Sequence, residues 1–355
     1  MEIHRYRRFK GWDYKKGASL FITIALEPRR WLFGNIIDGK VNHSLLGIKA
    51  AGALDDMPRL NAGISVFGRV VMPDHIHFNC AIAPNLNEPL KILGGAIRRF
   101  KNYITAEAKR SLAINAAPFP NGQVSIIGNA ISPSNLHRSI DGQAALGQIW
   151  QQGYHDYLLV SRQMIDSTER YIAYNPLKWS LMYDSNGMLR IKEPLSSPRL
   201  DCGDYWKGVG NIDLLSPEEK LVSLRISRSV DSPIVIRKVV ERMERAVDKG
   251  YVIISGFISK GERAVRDMLC ARNDAKFIRI LPSCIPNKKF KPESVYVAPF
   301  AENRYLEIAR GNDETEFGRR ACLDLNAEII DIATAAKGLA IYWKSDGVHI
   351  VGEGV

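Results

Sequence analysis

Two histidines one residue apart lie in the segment VMPDHIHFN, at positions 71–79, which otherwise has the character of a β-strand. Because side chains alternate along a strand, His75 and His77 are expected on the same face. Two neighbouring imidazoles supply half of a metal site. Pro73 and Asp74 indicate a turn just before the strand, so the pair is expected near a sheet end that is open to solvent. The alternative is a pair of surface histidines with no role.

A tyrosine and an asparagine in RYIAYNPLKW, at positions 170–179, provide the complementary chemistry. Tyr171 and Asn175 are four residues apart, so a helix places them on one face, one turn from each other. The amide oxygen of Asn175 could complete a metal site begun by the histidines, and the phenol of Tyr171 could face whatever the ion binds. A helical tyrosine alone is typical of packing. Its combination with the His-x-His strand indicates a site.

The first half of the chain must contain the elements that position these side chains. Apolar runs and alternation predict strands at 19–26, 63–72, 75–83 and 156–160. Helical spacing predicts a basic amphipathic helix over 88–110 and a second helix that begins at Ser161 or Asp166 and ends at Pro176. These elements predict a small α+β domain with a mainly antiparallel sheet.

The second half has a different pattern. Nearly continuous apolar runs at 221–229, 251–257 and 276–282 are typical of buried parallel strands, and helical segments at 232–250 and 261–274 separate them. Alternating strands and helices predict a doubly wound α/β domain.

A boundary between the two domains is predicted where Gly, Pro, Ser and Asp accumulate without a sustained period, over residues 182–210. A chain of 355 residues also exceeds the usual size of one domain. We therefore expect a first domain at 1–182, a linker at 183–215 and a second domain at 216–355.

Basic charge is concentrated in the first half. The net charge of the chain is +11, and residues 1–200 contain 25 Lys and Arg against 15 Asp and Glu, or +10. Clustered positive charge favours a polyanion partner such as nucleic acid, because phosphates are neutralised by Lys and Arg. A basic surface that only aids solubility explains the same count.

Cysteine spacing and hydropathy bear on the cellular setting. The five cysteines are scattered and form no Cys-x-x-Cys pair, which favours reduced thiols over a disulfide framework or a zinc ribbon. No apolar stretch reaches the ~18 residues of a membrane span. These features predict a cytoplasmic protein with no membrane partner, and they leave monomer and homodimer equally open.

The first 180 residues resemble the HUH single-tyrosine transposases, and most of all the REP-associated tyrosine transposases. The matching stretches are SLFITIAL, WLFGNI, VVMPDHIHFNCAI, LGGAIRRFKNYIT, IWQQGYHDYLLVS and RYIAYNP. The resemblance implies a ferredoxin-like HUH domain in which His75, His77 and Asn175 bind Mg²⁺ or Mn²⁺ and Tyr171 is the nucleophile. The family's usual MPNH is MPDH here, with Asp74 in place of asparagine.

The activity implied by this resemblance is nicking and transfer of single-stranded or hairpin DNA through a 5′-phosphotyrosine intermediate. Two alternatives stay open: a protein that binds hairpin DNA without cutting it, and a metal-dependent phosphohydrolase that uses water. Tyr174 is a rival nucleophile by residue type but lacks the four-residue spacing to Asn175. His155 is either a further ligand or a residue at a strand edge, and we favour the strand edge.

Candidate DNA contacts come from the positive charges of the first half. They lie on the basic helix and in the N-terminal arm, and they include Arg98, Arg99, Lys101, Arg7 and Arg8. The alternative is that each of them belongs to a solvated face.

The second half resembles, more weakly, the Rossmann-like domain of DNA-processing proteins of the DprA/SMF type. The resemblance is carried by SRS after one strand and SGFISKGERAV after the next. Glu262 stands where a Walker A motif requires lysine, which argues against a nucleoside triphosphatase. Backbone N–H groups at Ser259, Lys260 and Gly261 open a helix and could hold a nucleotide or a DNA phosphate. A purely structural α/β domain is the alternative.

Overall fold

A computed structural model describes residues 11–27, 31–115, 137–138, 144–145, 148–183, 187, 189–200, 205–285, 290–311, 319–336, 338–344 and 347–351. The chain divides into two compact units, Met1–Ser180 and Leu181–Val355.

The first unit is α+β with an antiparallel sheet, as predicted. Its elements are β1 (Ala18–Ala25), β2 (Gly34–Ile37), β3 (Lys40–His43), α1 (Leu45–Asp55), α2 (Met57–Leu60), β4 (Ile64–Val71), β5 (His75–Ile82), α3 (Pro89–Asn115), β6 (His137–Arg138), β7 (Ala144–Ala145), β8 (His155–Leu158) and α4 (Arg162–Tyr183), whose last three residues fall in the second unit. The main sheet has the order β4-β5-β1-β8 with antiparallel pairing throughout, while β2 pairs with β3 and β6 with β7.

One face of the main sheet forms the core of this unit. Alternate residues of β1, among them Leu20 and Ile22, are buried on this face, and Phe78 of β5 is buried with them. The helix α3 packs Ile97 and Phe100 into the same cluster. The apolar face of α3 therefore covers one side of the sheet, which leaves the other side of β5 for its polar residues.

The helix α4 begins as predicted and ends later than predicted. The hydroxyl of Ser161 accepts a hydrogen bond from the backbone N–H of Met164 at 3.2 Å, which caps the first turn. The predicted end at Pro176 is wrong, because this proline lies inside a helix that continues to Tyr183. Proline lacks the N–H that would bond to the carbonyl of Ile172. Ile172 and Leu181 are both buried, so packing on either side of the proline offsets that loss.

The second unit is built on a seven-stranded sheet. Its elements are β9 (Trp206–Gly210), a 3-10 helix (Ile212–Leu215), β10 (Leu221–Ile226), α5 (Pro233–Asp248), β11 (Val252–Ser255), α6 (Lys260–Ala271), β12 (Phe277–Leu281), a 3-10 helix (Ser294–Tyr296), α7 (Val297–Ala301), β13 (Tyr305–Arg310), α8 (Arg319–Thr334), β14 (Gly338–Lys344) and β15 (Gly347–Val351). The order is β15-β14-β10-β11-β12-β13-β9, in which the five central strands are parallel and the two edge strands antiparallel.

The central strands are buried on both faces, as their continuous apolar sequence predicted. All four residues of β11 are buried. On one face, Leu325 and Ile329 of α8 share a core cluster with Ile254 and Ile278.

The segment 183–215, predicted to be a linker, is part of the second unit instead. Its strand β9 pairs with β13, and Leu195 is buried in the same core as Leu306. The guanidinium of Arg199 is buried and donates to backbone carbonyls, including that of Ser216 at 3.0 Å. The segment is rich in turn-forming residues, and its few buried residues do not recur at the period of a helix or a strand. The sequence therefore contains no periodic pattern that would have predicted their burial.

None of the helices described is long and apolar enough to cross a lipid bilayer. Four cysteines of the described ranges, Cys80, Cys270, Cys284 and Cys322, carry free thiols, as the spacing predicted.

Candidate active site

The two histidines lie at the beginning of β5, on the face of the sheet that α3 does not cover. In the β1–β5 register His75 is opposite Ala25 and His77 is opposite Thr23. The imidazole centroids are 4.5 Å apart, at an interplanar angle of 69°. The side-by-side placement predicted from the His-x-His spacing is therefore present.

Each imidazole is held through its Nδ1 atom. The Nδ1 atom of His75 is 2.6 Å from Oδ1 of Asp74, and the Nδ1 atom of His77 is 2.9 Å from Oγ1 of Thr23. A carboxylate only accepts, so Nδ1 of His75 carries the proton. The Thr23 hydroxyl can accept in the same way from His77. Both rings then keep the lone pair of Nε2 for a ligand, an arrangement typical of metal-binding histidines.

Burial keeps His77 neutral. Only 6% of this residue is exposed, and burial lowers its pKa to about 3, with a smaller contribution from the nearby His75. A histidine must be neutral to bind a metal ion. Near neutral pH, His77 is therefore ready for ligation without losing a proton first.

Tyr171 reaches this pair from α4. Its ring centroid is 5.2 Å from that of His77 and 5.8 Å from that of Phe21, with edge-to-face geometry in both contacts. Phe21 in turn stacks on His77 at 5.0 Å and 26°. The ammonium of Lys178 is 6.0 Å from the Tyr171 ring. Within the described part of the chain, Tyr174 has no ring contact with either histidine.

Asn175 lies one turn beyond Tyr171 and is buried, with 8% of its surface exposed. Its side chain forms no hydrogen bond with another described residue, so its amide oxygen is available as a ligand. The described ranges contain no cluster of three or more His, Cys, Asp or Glu that could hold an ion. The candidate donor set is therefore two imidazoles and one amide oxygen, and waters can fill the other positions of a Mg²⁺ or Mn²⁺ ion.

A second contact fixes α4 against the sheet. The amide nitrogen of Asn79 donates to Oγ1 of Thr168 at 3.0 Å, and Asn79 is fully buried on the same face as His77. Thr168 is three residues before Tyr171 on α4, so this hydrogen bond anchors the turn that carries the phenol. Sequence reasoning missed Thr23, Phe21 and Thr168. The alternation of β5, which put Asn79 on the histidine face, is the signal that could have found the Asn79 contact.

His155 lies on the same face but at its edge. It is exposed on β8 and is opposite Thr23, which separates it from His77 by one intervening strand. Two strand spacings are about 10 Å. His155 is thus the first residue of an edge strand, and the prediction that it is not a further ligand stays a prediction.

The candidate DNA contacts of α3 belong to the other side of the sheet. Arg98 is exposed and has no partner among the described residues, whereas Arg99 donates to Asn61. The ammonium of Lys101 donates to the carbonyl of Gln151 at 3.0 Å, and burial lowers its pKa to about 8. The structure brings none of these three to Tyr171. Arg7 and Arg8 lie outside the described residues.

The loop predicted to hold a phosphate is filled by a side chain of its own. The Glu262 carboxylate accepts from the backbone N–H groups of Ile226, Ile258 and Ser259 at 2.9, 2.7 and 3.0 Å. The N–H of Glu262 donates to Oγ of Ser259, which completes a capping box at the start of α6. Of the N–H groups assigned to a phosphate, only those of Lys260 and Gly261 remain.

Comparisons with known proteins find distant likenesses. No protein-family model matches the chain. An uncharacterized protein of Haemophilus influenzae is 21% identical over 196 residues, which are 50% of this chain and 91% of that protein. A REP-associated tyrosine transposase bound to a REP hairpin is 17% identical with a TM-score of 0.31, over 49% of this chain and 73% of that one. DNA processing protein A from Helicobacter pylori is 18% identical with a TM-score of 0.31, over 41% of this chain and 66% of that one.

Proposed function

We propose that the first unit nicks single-stranded or hairpin DNA in a metal-dependent reaction and can rejoin the ends, with Tyr171 as nucleophile. One observation carries the proposal. The Tyr171 ring lies 5.2 Å from the ring of His77, and His75 and His77 are both held through Nδ1 so that Nε2 is available. A phenol beside two such imidazoles supplies a nucleophile and two metal ligands for a metal-assisted attack on a phosphodiester.

The chemistry balances without a further reagent. The phenolic oxygen of Tyr171 forms a bond to phosphorus, and the bond from phosphorus to the 3′ oxygen breaks. The phenol loses one proton and the leaving 3′ oxygen gains one, so no net proton is consumed. The products are a 5′-phosphotyrosine link and a free 3′-OH. Because the new link is also a phosphodiester, a 3′-OH can attack it and join strands without ATP.

A bound Mg²⁺ or Mn²⁺ would withdraw charge from the phosphate and favour the phenolate over the phenol. His75, His77 and Asn175 are the residues that would hold it. The protein's own part is orientation. Phe21 stacks on His77, and Asn79 holds the helix of Tyr171 through Thr168. Both contacts restrict how the nucleophile and the imidazoles can move relative to each other.

DNA is the proposed polyanion for two reasons. The chain carries +10 of its +11 net charge in residues 1–200, which contain the site. The order of the HUH-like and tyrosine motifs along the sequence also resembles that of the single-tyrosine transposases. We propose that the second unit affects affinity, target choice or regulation, because its phosphate loop is occupied by Glu262 and its net charge is close to zero.

The test is the covalent adduct. The full chain is incubated with a labelled hairpin oligonucleotide and Mn²⁺, and a denaturing gel is examined for protein that carries the label. A labelled band that is absent in EDTA is the expected result. Cleavage without a labelled band would indicate a phosphohydrolase that uses water, and binding without cleavage would indicate a hairpin-binding protein. Either outcome would overturn the proposal.

A further inference from the structure

The face of the main sheet that carries the histidines is covered on β5 and open toward β8. Asn79 of β5, Phe21 of β1 and Tyr157 of β8 are paired across three neighbouring strands, so their side chains form one row on this face. Exposure rises along the row: Asn79 is fully buried, Phe21 is half-buried and Tyr157 is 59% exposed. The helix α4 covers the β5 end of the row, where Asn79 donates to Thr168.

The rotation of α4 about its axis turns Tyr171 toward the open half of the face. On one flank of the helix, Glu169 faces β4, because a Cβ atom placed on Gly68 would lie 3.7 Å from Cγ of Glu169. Two residues of helix turn by about 200°, so Tyr171 lies on the other flank. Its ring accordingly contacts Phe21 of β1, at 5.8 Å. The open surface over β1 and β8 is therefore the side from which a substrate strand can reach Tyr171.

Tyr157 stands at the outer rim of this surface. It is directly opposite Phe21 in the β1–β8 register, with Cα atoms about 5 Å apart, and β8 is an edge strand. The ring of Phe21 stacks on His77, whereas Tyr157 has no hydrogen bond or ring contact with another described residue. An exposed ring of this kind can stack on a base of any sequence, because every base has a π face.

We propose that Tyr157 is a base-stacking residue for the DNA strand that Tyr171 attacks, and that this strand lies over β1 and β8 beside α4. The inference rests on the proposed function and adds a specific contact to it. One strand spacing and one ring contact separate Tyr157 from Tyr171, which is about 10 Å. Neighbouring phosphates of a stacked strand are about 3.4 Å apart, so the stacked base lies within about three nucleotides of the scissile phosphate. It must be unpaired, because the bases of a duplex are already stacked on one another.

Binding is measured on the full chain with Tyr171→Phe, which lacks the proposed nucleophile. Hairpin oligonucleotides with a single-stranded flank are titrated against the protein and followed by fluorescence anisotropy of a labelled end. We expect Tyr157→Ala to raise the dissociation constant about 5- to 150-fold, the range that loss of one stacked base produces. Tyr157→Phe retains the ring and should stay within a few-fold. Tyr157→Thr introduces a good strand former without a ring, so it should lose as much affinity as Tyr157→Ala.

Tyr103→Ala is the matched control. Tyr103 is 45% exposed and has no hydrogen bond or ring contact with another described residue, but it lies on α3, which covers the opposite side of the sheet. The same ring is thus removed from the same unit, on the side away from Tyr171. We expect no change in affinity from Tyr103→Ala. Equal losses from Tyr103→Ala and Tyr157→Ala, or full affinity in Tyr157→Thr, would overturn the inference.

A series of oligonucleotides, each with one abasic position in the flank, identifies the stacked base. One position near the scissile phosphate should weaken binding when Tyr157 is present and have no further effect in Tyr157→Ala. Abasic sites and Tyr157→Ala whose effects simply add at every position would overturn the stacking role, even if the unmodified chain forms the adduct. Coupling at one position with no adduct in the unmodified chain would support the stacking role and refute the nicking chemistry. If the protein binds no single-stranded flank, both ideas fail.

Discussion

Thr23 and His77 are 54 residues apart in the chain, yet the hydroxyl of Thr23 lies 2.9 Å from Nδ1 of His77. The contact exists because β1 pairs antiparallel with β5 in a register that puts the two residues opposite each other. A hydrogen bond at Nδ1 sets the tautomer of the ring and leaves Nε2 as the ligand atom. In the proposed metal site, Thr23 would thus orient His77 without touching the ion.

Thr23→Val should therefore weaken metal binding. Valine has nearly the same shape but no hydroxyl, so Nδ1 of His77 loses its partner and the ring loses its fixed orientation. We expect Mn²⁺ affinity to fall about 10- to 100-fold, the usual effect of removing such an outer contact. Isothermal titration with Mn²⁺ measures it, and Thr23→Ser is the control that keeps the hydroxyl. Unchanged affinity in Thr23→Val would contradict the assigned role.

Tyr171→Phe should abolish the covalent adduct and the cleavage of a hairpin oligonucleotide. Only one hydroxyl is removed, so the dissociation constant for DNA should stay within a few-fold of the original. Tyr174→Phe is the matched control, three residues along the same helix and without a ring contact to His77 in the described structure. If Tyr174→Phe removes the adduct and Tyr171→Phe keeps it, the nucleophile has been assigned to the wrong tyrosine.

Removal of the proposed metal ligands should stop the proposed reaction at the chemical step. We expect His75→Ala, His77→Ala and added EDTA each to eliminate cleavage, because each change removes a proposed ligand or the ion itself. Asp74→Asn tests the support of His75 separately. Its amide oxygen still accepts from Nδ1, so it should cost far less Mn²⁺ affinity than Asp74→Ala. Cleavage at full rate in EDTA would rule out the proposed site.

Local patterns explain why much of the first unit could be predicted. Leu20, Ile22 and Ile24 alternate with less buried residues along β1, and the apolar spacing of α3 matches the same core. The side-by-side histidines follow from the period of a strand alone. The contacts of Thr23 with His77 and Asn79 with Thr168 could not be predicted, because they depend on strand register and on the position of α4. Both are set by tertiary packing.

In the second unit, by contrast, a local sequence motif did not reveal how the loop is structured. SGFISKGE has the glycines and the helix start of a phosphate site, yet its N–H groups are used by Glu262. The local motif could not reveal that the Glu262 carboxylate accepts hydrogen bonds from the backbone N–H of Ile258, four residues earlier, and from that of Ile226 on another strand. The one-letter departure from Walker A was the visible sign. Its meaning, that the carboxyl group of Glu262 caps the N-terminus of its own helix, required the structure.

Glu262→Ala should destabilise the second unit. The carboxylate is buried and accepts three backbone N–H groups, which would lose their partner together. A buried donor left unsatisfied costs about 1–3 kcal/mol, so we expect a loss on the order of 3 kcal/mol or more in the free energy of unfolding. Urea denaturation of the full chain measures it. Glu241→Ala, an exposed position on α5, should change stability by less than about 0.5 kcal/mol. Equal stability of the two variants would contradict the structural role of Glu262.

A fragment that ends at Tyr183 should retain the proposed chemistry, whereas one that ends at Leu200 should aggregate more readily. Residues 1–183 contain all of α4, every proposed site residue and a net charge of +9, from 22 Lys and Arg against 13 Asp and Glu. Residues 184–200 add Leu195 and Arg199, whose apolar neighbours and carbonyl partners belong to the second unit and would be missing. We therefore expect the 1–183 fragment to unfold cooperatively, to form the covalent adduct in Mn²⁺ and to bind DNA with a steep dependence on salt.

The 1–200 fragment should aggregate more at equal concentration, because it exposes apolar side chains that have lost their core. Light scattering and the adduct assay compare the two fragments directly. A folded 1–183 fragment without activity, restored when residues 184–355 are added as a separate chain, would show that the second unit completes the active site.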